Sequence, residues 1–210
     1  MSRARSVLFV DDYEMLRQIY VEILSTAGYR MMEAADCQEC MAEVSRETPD
    51  LILLDIMMKP VDGWETLRQI RSNPGTREVP VIMVSGKAIL PSEVTAYGPL
   101  IDGFMRKPLL NAVLLSTIRD FFTWFDDLND RCRKARFRGV DEDLVTAYAS
   151  LCRQERSIGI MYNLIRREYD TPGDQMTSDI IGEAMEKIEE LAHGISERIS
   201  EYEPLITSPA

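Results

Sequence analysis

The sequence contains no long hydrophobic run. A membrane-spanning helix needs roughly 18 to 20 consecutive apolar residues, and none of the apolar stretches approaches that length. Residues 1–5 lead directly into a short strand-like run, whereas a secretory signal requires a longer apolar segment and a cleavage site. We therefore expect a soluble, cytoplasmic protein that does not bind membranes.

Positive charge is also scarce. The 210 residues include 24 Lys and Arg against 35 Asp and Glu, which gives a formal net charge of −11 at pH 7. A field of this sign repels the phosphate backbone of nucleic acids, so direct binding of the whole chain to DNA is not expected. The length is sufficient for one buried core and a second, smaller domain.

Cysteine is rare, and its spacing argues against a zinc site. Cys37 and Cys40 form a C-x-x-C pair, which raises zinc-binding and redox interpretations, but a zinc site needs a second close pair. Cys132 and Cys152 lie 20 residues apart. Cys40 also fits the apolar face of a predicted helix, so a buried cysteine is the preferred interpretation.

Two patterns alternate over the first 120 residues or so. Segments with apolar residues at helical spacing separate short apolar runs, which lie at Ser6–Val10, Tyr29–Glu33, Asp50–Leu54, Val79–Val84 and Gly103–Met105. Repeated strand–helix units predict an α/β fold with a doubly wound, parallel, five-stranded (βα)5 sheet. The third run is apolar almost throughout, as expected for a central strand that is covered on both faces.

After about residue 120 the strand pattern stops, and the fifth helix continues. Its apolar residues follow alternating steps of four and three, which is a heptad-like pattern. They are Leu114, Ile118, Phe121, Phe125, Leu128 and Cys132. We therefore predict a first domain at residues 1–122 and a C-terminal helical extension at 123–210 that continues from the fifth helix.

Two further helices are predicted in the extension. One begins at Asp141, whose side chain can cap it, and the other runs from about Thr177 to Tyr202 and is ended by Pro204. The turn-forming segment 171–174 separates them. Three amphipathic helices joined by short turns predict an all-α antiparallel bundle, which a partner chain could complete.

Polar side chains follow the predicted strands at one edge of the sheet. Asp11 and Asp12 follow the first strand, Asp55 the third, Ser85 the fourth and Lys107 the fifth. Because the carboxyl ends of parallel strands share one edge, these side chains should converge. Crowded carboxylates suit Mg²⁺, and a carboxylate there can attack a phosphoryl group, whose oxygens an ammonium and a hydroxyl can bind.

This arrangement resembles the receiver domain of two-component response regulators, which has a flavodoxin-like fold. The resemblance covers roughly residues 5 to 122 and rests on Asp11-Asp12, Asp55 with Met58, Asp62-Gly63, Ser85-Gly86 and Lys107-Pro108. The stretches DIMMKPVDGWETL and YGPLIDGFMRKP are similar to receivers of methanogenic archaea. One departure is Pro60, which stands one place later than the usual proline, so that Lys59 adds a charge near the site.

The resemblance implies a role for each residue of the cluster. Asp55 would be the phosphoacceptor for a sensor histidine kinase. Mg²⁺ would be held by Asp11, Asp12, Asp55 and the backbone carbonyl of Met57. The phosphoryl group would be bound by Ser85 and Lys107. Phe104, three residues before the lysine, would be the switch aromatic, acting through packing alone because it carries no hydroxyl group.

An enzymatic alternative is weaker. Hydrolases that form an aspartyl phosphate need a second acid two residues after the nucleophile, and that position is Met57. We therefore expect a signalling receiver, not an enzyme, that supports its own Mg²⁺-dependent phosphorylation and autodephosphorylation. We expect it to signal through the helical tail as a homodimer or by binding a downstream protein.

Two features of the tail leave other outputs open. A basic cluster, Arg131, Arg133, Lys134, Arg136 and Arg138, could contact nucleic acid, as in a phosphorylation-dependent transcription regulator. Pairing with the acidic third tail helix is the preferred interpretation. His193, the single histidine, could make the chain a phosphorelay intermediate, but a surface histidine is the simpler interpretation.

Overall fold

The computed structural model describes residues 3–169 and 175–207, and in the second range it describes side chains from Ile181 onward. The strands are β1 (Ser6–Val10), β2 (Arg30–Ala34), β3 (Leu51–Asp55), β4 (Val81–Ser85) and β5 (Gly103–Arg106). The helices are α1 (Glu14–Thr26), α2 (Cys37–Arg46), α3 (Gly63–Ser72), α4 (Pro91–Tyr97), α5 (Asn111–Phe137), α6 (Glu142–Tyr169) and α7 (Gln175–Thr207).

The five strands form one parallel sheet in the order β2-β1-β3-β4-β5. Every residue of β1, β3 and β4 is buried, as expected for strands covered on both faces. The predicted doubly wound α/β fold followed by helices is therefore confirmed.

The start of β4 was predicted two residues too early. Val79 lies in a turn, where its N–H donates to the carbonyl of Thr76. Pro80 has no N–H to give to the sheet, although its carbonyl accepts a hydrogen bond from Ile52. Regular pairing therefore begins at Val81, which pairs with Ile52.

The chain forms two compact units. The first comprises the residues up to Ala88 together with Leu100–Leu115, and the second comprises Ile89–Pro99 together with the residues from Ser116 onward. The sheet, α1, α2, α3 and the start of α5 therefore belong to the first unit. The short helix α4 belongs to the second unit, with the tail helices.

The second unit has its core between α4, α6 and α7. Ile158 and Met161 of α6 and Ile188 and Ile195 of α7 are fully or almost fully buried. Both α6 and α7 pack against α4. Tyr162 of α6 donates to Glu189 of α7. The C-terminal end of α6 lies beside the first described side chains of α7, so the two helices run antiparallel, as predicted.

The ends of the tail helices follow local chemistry. Asp141 caps α6, since its carboxylate accepts hydrogen bonds from the N–H groups of Asp143 and Leu144 at 3.0 and 3.1 Å. Helix α7 was predicted to end at Pro204, but it runs to Thr207 and includes the proline in its last turn. The predicted break at 171–174 lies outside the described residues. Among the helices described, none combines the length and apolar character that crossing a bilayer requires.

Candidate functional site

The carboxyl edge of the sheet brings the predicted site residues together. Asp55 and Ser85 are the last residues of the neighbouring strands β3 and β4, and Asp11 directly follows β1. Lys107 directly follows β5, and its N–H donates to the carbonyl of Ser85 at 2.8 Å. Parallel pairing in a common register thus places all four residues at one end of the sheet.

One ammonium group joins two buried carboxylates at the centre of this site. Lys107 Nζ lies 2.6 Å from Asp11 Oδ2 and 2.9 Å from Asp55 Oδ1. Asp11 is 1% exposed and Asp55 is 4% exposed. Buried charges of this kind are tolerated only when they are paired, so Lys107 is what allows the two acids to lie side by side.

The pKa values of the central pair reflect burial and proximity. The pKa of Asp55 lies above its usual value because burial disfavours the anion and the charge of Asp11 adds to this effect, outweighing the hydrogen bond from Lys107. For Lys107 burial is again the largest effect and lowers the pKa. Its hydrogen bonds to Asp11 and Asp55 together outweigh burial, so the net pKa is raised.

A third carboxylate completes a potential metal site. Carboxylate oxygens of Asp11, Asp12 and Asp55 all lie within 4.8 Å of one another, with Asp12 exposed to solvent. Three negative charges against one ammonium leave an excess that a divalent cation would neutralise, and Mg²⁺ prefers such oxygen ligands. The donor set therefore fits the magnesium ion that receivers typically bind.

Backbone N–H groups of the loop after β3 hold one carboxylate oxygen of Asp55 and one of Asp12. Asp55 Oδ2 accepts a hydrogen bond from the N–H of Met57 at 3.1 Å. Asp12 Oδ2 accepts one from the N–H of Lys59 at 3.2 Å. The loop after β3 thus contacts two of the three acids, and its backbone is the predicted source of a further metal ligand at Met57.

Gly63 explains why the Asp62-Gly63 pair belongs to this site. A Cβ atom at Gly63 would lie 2.8 Å from the Cα of Ile56 and closer still to the carbonyl oxygen of Asp55. The N–H of Gly63 donates to the carbonyl of Ile56 at 2.9 Å, and Asp62 caps α3 by accepting from the N–H of Glu65. Only glycine lets α3 begin this close to the backbone of Asp55.

Ser85 and Phe104, the remaining predicted residues, are both buried. Ser85 Oγ accepts a hydrogen bond from the N–H of Lys87 at 3.0 Å, so its hydroxyl hydrogen remains available to a ligand. Phe104 lies in β5, where it pairs in register with Met83. It does not belong to the polar cluster.

Sequence reasoning missed Arg17 as part of this site. Its guanidinium donates to the main-chain carbonyl of Asp11 at 2.7 Å. The position of Arg17 in the first turns of α1, five residues after Asp12, is a signal that could have pointed to it, because a long side chain there can reach back to the preceding loop.

The comparisons with known proteins identify the family. A family profile described as the response regulator receiver domain matches residues 7–119. The chain belongs to this family. As a receiver it is a signalling protein of two-component systems, whose general partner is a histidine kinase.

Named relatives match part of this chain. The response regulator PleD of Caulobacter vibrioides is 28% identical over 137 residues, which cover 64% of this chain and 30% of PleD. The phosphate regulon transcriptional regulatory protein PhoB of Pseudomonas aeruginosa is 29% identical over 115 residues, which cover 55% of this chain and 50% of PhoB. The match thus spans half or less of each of these relatives.

A solved receiver supports the predicted resemblance to methanogen proteins. The response regulator receiver domain protein from Methanospirillum hungatei is 29% identical and superposes with a TM-score of 0.51. The superposition covers 56% of this chain and 93% of that protein. The predicted similarity to receivers of methanogenic archaea is confirmed.

The basic cluster of the tail is largely paired within its own unit. Arg131 lies 3.6 Å from Glu203 of α7 and donates to the hydroxyl of Tyr148 at 2.6 Å. The other ion pairs are made with α5 and the start of α6: Arg133 and Lys134 with Asp130, and Arg136 with Glu142. Arg138 donates to the carbonyl of Ile206. The predicted pairing with acidic side chains of α7 is therefore seen for Arg131, whereas Arg138 bonds the main chain of that helix.

His193 lies on the exposed side of α7, where its Nε2 is 3.2 Å from Glu197. The residues one turn before it on this helix are also acidic, namely Glu189 and Glu190. Acidic surroundings of this kind repel an incoming phosphoryl group. The geometry therefore favours the surface-histidine interpretation.

Proposed function

We propose that this receiver is a response regulator that accepts a phosphoryl group on Asp55 from a sensor histidine kinase, with Mg²⁺ held by Asp11, Asp12, Asp55 and the carbonyl of Met57. The observation that supports this most strongly is the position of Lys107 Nζ, which contacts the carboxylates of both Asp11 and Asp55. Such a site gathers a nucleophile, a set of metal ligands and a cation for phosphoryl oxygens.

The residues of the site divide the transfer reaction among them. A carboxylate oxygen of Asp55 attacks the phosphorus of a phosphohistidine, the new O–P bond replaces the P–N bond, and the departing histidine nitrogen takes up a proton. The ammonium of Lys107 then binds one phosphoryl oxygen, and the hydroxyl of Ser85 donates to another. Bound Mg²⁺ would supply further positive charge for the phosphoryl oxygens.

An exposed apolar surface supports a docking site for the kinase on the first unit. Three exposed apolar side chains of this unit contribute to the surface. Met15 and Ile19 lie four residues apart on α1, and Leu110 lies three residues after Lys107. Ile23 of the same face of α1 lines a groove together with Leu115 of α5. A helical hairpin that presents a phosphohistidine would cover such a surface while reaching Asp55.

The experiment that tests phosphorylation uses a small-molecule phosphodonor. Acetyl phosphate and Mg²⁺ should add the mass of one phosphoryl group to the intact chain, and omission of Mg²⁺ or the change Asp55→Asn should abolish this adduct. Asp130→Asn is the matched control, because Asp130 lies on α5 in the second unit, where it pairs with Arg133 and Lys134. A normal adduct on Asp55→Asn would overturn the proposal.

We further propose that α4 carries the signal into the tail. Five residues, Gly86–Leu90, join Ser85 to this helix, and α4 packs against both α6 and α7. The hydroxyl of Ser157 donates to the carbonyl of Gly98, and a Cβ atom at Gly98 would lie 2.9 Å from Cγ1 of Ile158. When Ser85 turns toward a phosphoryl group, the strain on this short connection would reach the α6–α7 hairpin directly.

The output is a protein contact of the helical tail, either with a second copy or with a downstream protein. Phe137 at the end of α5 is 94% exposed, and it lines a shallow pocket with Arg133, Lys134 and Arg138. An aromatic ring of this exposure among basic side chains is typical of an interaction surface. An acidic, partly apolar helix would fit it.

A transcriptional output is the second candidate, since the relative PhoB is by name a transcriptional regulatory protein and the same basic side chains could contact DNA phosphates. A gel shift that weakens steeply with salt would favour it. The test should change Arg133 before Arg131, because Arg133 is well exposed and Arg131 is engaged by Tyr148 and Glu203.

A phosphorelay through His193 is the third candidate. It predicts a phosphoryl group on the chain that persists in Asp55→Ala and disappears in His193→Ala. The acidic surroundings of His193 argue against this outcome.

A further inference from the structure

We infer that Arg17 is a positioning residue for the metal-binding loop, an inference that rests on the proposed Mg²⁺ site. Three residues, Asp11–Tyr13, connect β1 to α1 and carry two of the three metal-binding carboxylates. The Arg17 side chain lies against this loop, and its Nη1 donates to the main-chain carbonyl of Asp11 at 2.7 Å.

The hydrogen bond from Arg17 fixes the peptide that joins Asp11 to Asp12. The rest of the Asp11 residue is already held: its N–H donates to the carbonyl of Ala34, and its carboxylate accepts from Lys107 and from the N–H of Tyr13. The carbonyl that Arg17 binds determines how the next peptide plane is turned. The direction in which Asp12 leaves the backbone therefore depends on this bond.

Asp12 depends on that backbone more than its neighbours do. Asp11 and Asp55 are buried and share Lys107, whereas Asp12 is exposed and accepts a longer hydrogen bond of 3.2 Å from the N–H of Lys59. An exposed carboxylate on a freely turning peptide would sample many directions, and ordering it would cost entropy when a metal binds. By ordering the peptide before the metal binds, Arg17 lowers the entropy cost of binding.

Arg17 is itself held in place for this role. Its side chain is 14% exposed, and Nε lies 3.8 Å from Oε2 of Glu33 on β2. Because a guanidinium remains charged throughout the physiological pH range, the bond to Asp11 does not vary with protonation. The arginine thus ties the loop to its own helix and to the neighbouring strand.

The charge of Arg17 and its hydrogen bond to the loop should have opposite effects on Mg²⁺ affinity, so removal of Arg17 distinguishes between them. A cation beside the site repels Mg²⁺, so loss of its charge alone would strengthen metal binding. Loss of the ordered peptide would weaken binding, as losses of residues that orient metal ligands do, by about tenfold or more. If Arg17 positions the loop, its removal must weaken Mg²⁺ binding.

The test measures Mg²⁺ affinity of the full chain by calorimetry. Arg17→Met keeps the aliphatic stem but cannot donate, and it should raise the Kd for Mg²⁺ about tenfold. Arg17→Lys, which keeps the positive charge and a donating ammonium group, should recover part of the loss. Arg30→Met is the matched control, since Arg30 lies on β2 and pairs with Glu47 outside the site.

A second measurement separates positioning from a general loss of structure. With acetyl phosphate as donor, Arg17→Met should shift the Mg²⁺ dependence of phosphorylation to higher concentration while the rate at saturating Mg²⁺ stays near that of the unchanged chain. Unchanged or tighter Mg²⁺ binding by Arg17→Met would overturn the inference. If the unchanged chain neither binds Mg²⁺ nor becomes phosphorylated, it is the proposed function that fails.

Discussion

Asp55 shows how a functional charge opposes stability at a single residue. Its raised pKa means that the folded chain holds a proton there more tightly than the unfolded chain does. The free energy of unfolding therefore falls as pH rises between the unfolded and folded pKa values, and the loss persists at higher pH. The proposed phosphoacceptor is thus kept at a cost that Lys107 only partly offsets.

Asp55→Asn should consequently stabilise the metal-free chain at neutral pH, because the amide removes the buried charge next to Asp11. Urea unfolding in the presence of EDTA measures this, and we expect a gain of about 1 kcal/mol or more. The gain should shrink when Mg²⁺ is added, because the proposed metal site would bind the ion tightly only with Asp55 unchanged. A clear loss of stability without metal would contradict this account.

Of the two cysteines in the C-x-x-C pair, Cys40 should have an unreactive thiol in the folded chain. Burial raises the pKa of Cys40 to about 12, with smaller contributions from Cys37 and Asp36. Cys37 donates to Gln69 at 3.3 Å, which occupies its thiol within the fold. Thiolate chemistry at Cys40 is therefore suppressed.

Iodoacetamide should leave Cys40 unmodified in the native chain and modify it fully after denaturation, as measured by peptide mass spectrometry. The native chain should also retain no zinc after dialysis. Rapid native alkylation of Cys40, or one bound zinc ion for each chain, would show that the buried-cysteine interpretation is wrong.

Site residues were predictable where a strand end determines them. Asp11, Asp55 and Ser85 follow apolar runs, and parallel pairing then brings them together whatever the details of the loops. Arg17 and the steric role of Gly63 were not predictable in this way, because they depend on contacts of side chains and backbone across a loop. The roles in phosphorylation remain predictions.

At the scale of elements, the contact between α4 and α6 can be tested by a mutant cycle. Gly98→Ala places a methyl group within 2.9 Å of Ile158 Cγ1 and should force the two helices apart. Ile158→Ala creates a cavity in the same place, and we expect it to cost about 3 kcal/mol. The two changes together should be less harmful than the sum of their separate effects.

The readout that links this contact to signalling is the lifetime of the phosphorylated chain. If α4 carries the signal, Gly98→Ala should change that lifetime and Gly98→Ala with Ile158→Ala should return it toward the original value. Gly159→Ala is the matched control, since a Cβ atom there meets nothing within 4 Å. Equal lifetimes of the phosphorylated chain in all variants would show that α4 does not carry the signal.

Helices and strands were predictable where apolar residues recur at regular spacing or in continuous runs along the sequence. The strands were recognised because they are continuous apolar runs, and errors occurred where Pro80 and Pro204 alter hydrogen bonding at an end. The position of α4 within the tail unit was not predicted. A short amphipathic helix shows that one of its faces is buried, but not which core it joins.

For the whole molecule, the prediction concerns association. Light scattering of the full chain with Mg²⁺ and beryllofluoride, an aspartyl-phosphate mimic, should show self-association, or a pull-down with the same sample should retain a protein that the Asp55→Ala chain does not. Phe137→Ser should abolish either effect, because the exposed ring anchors the proposed surface. Leu205→Ser is the control, since Leu205 is also exposed on the tail. An effect that survives Phe137→Ser would place the contact elsewhere.

The membership of α4 in the tail unit limits how this protein can be divided or recombined. A fragment that ends at Phe122 would retain α4 but lose α6 and α7, the helices against which α4 packs. Such a fragment should aggregate or bind a hydrophobic dye more strongly than the full chain. Exchange of output modules by fusion after the fifth helix would fail for the same reason.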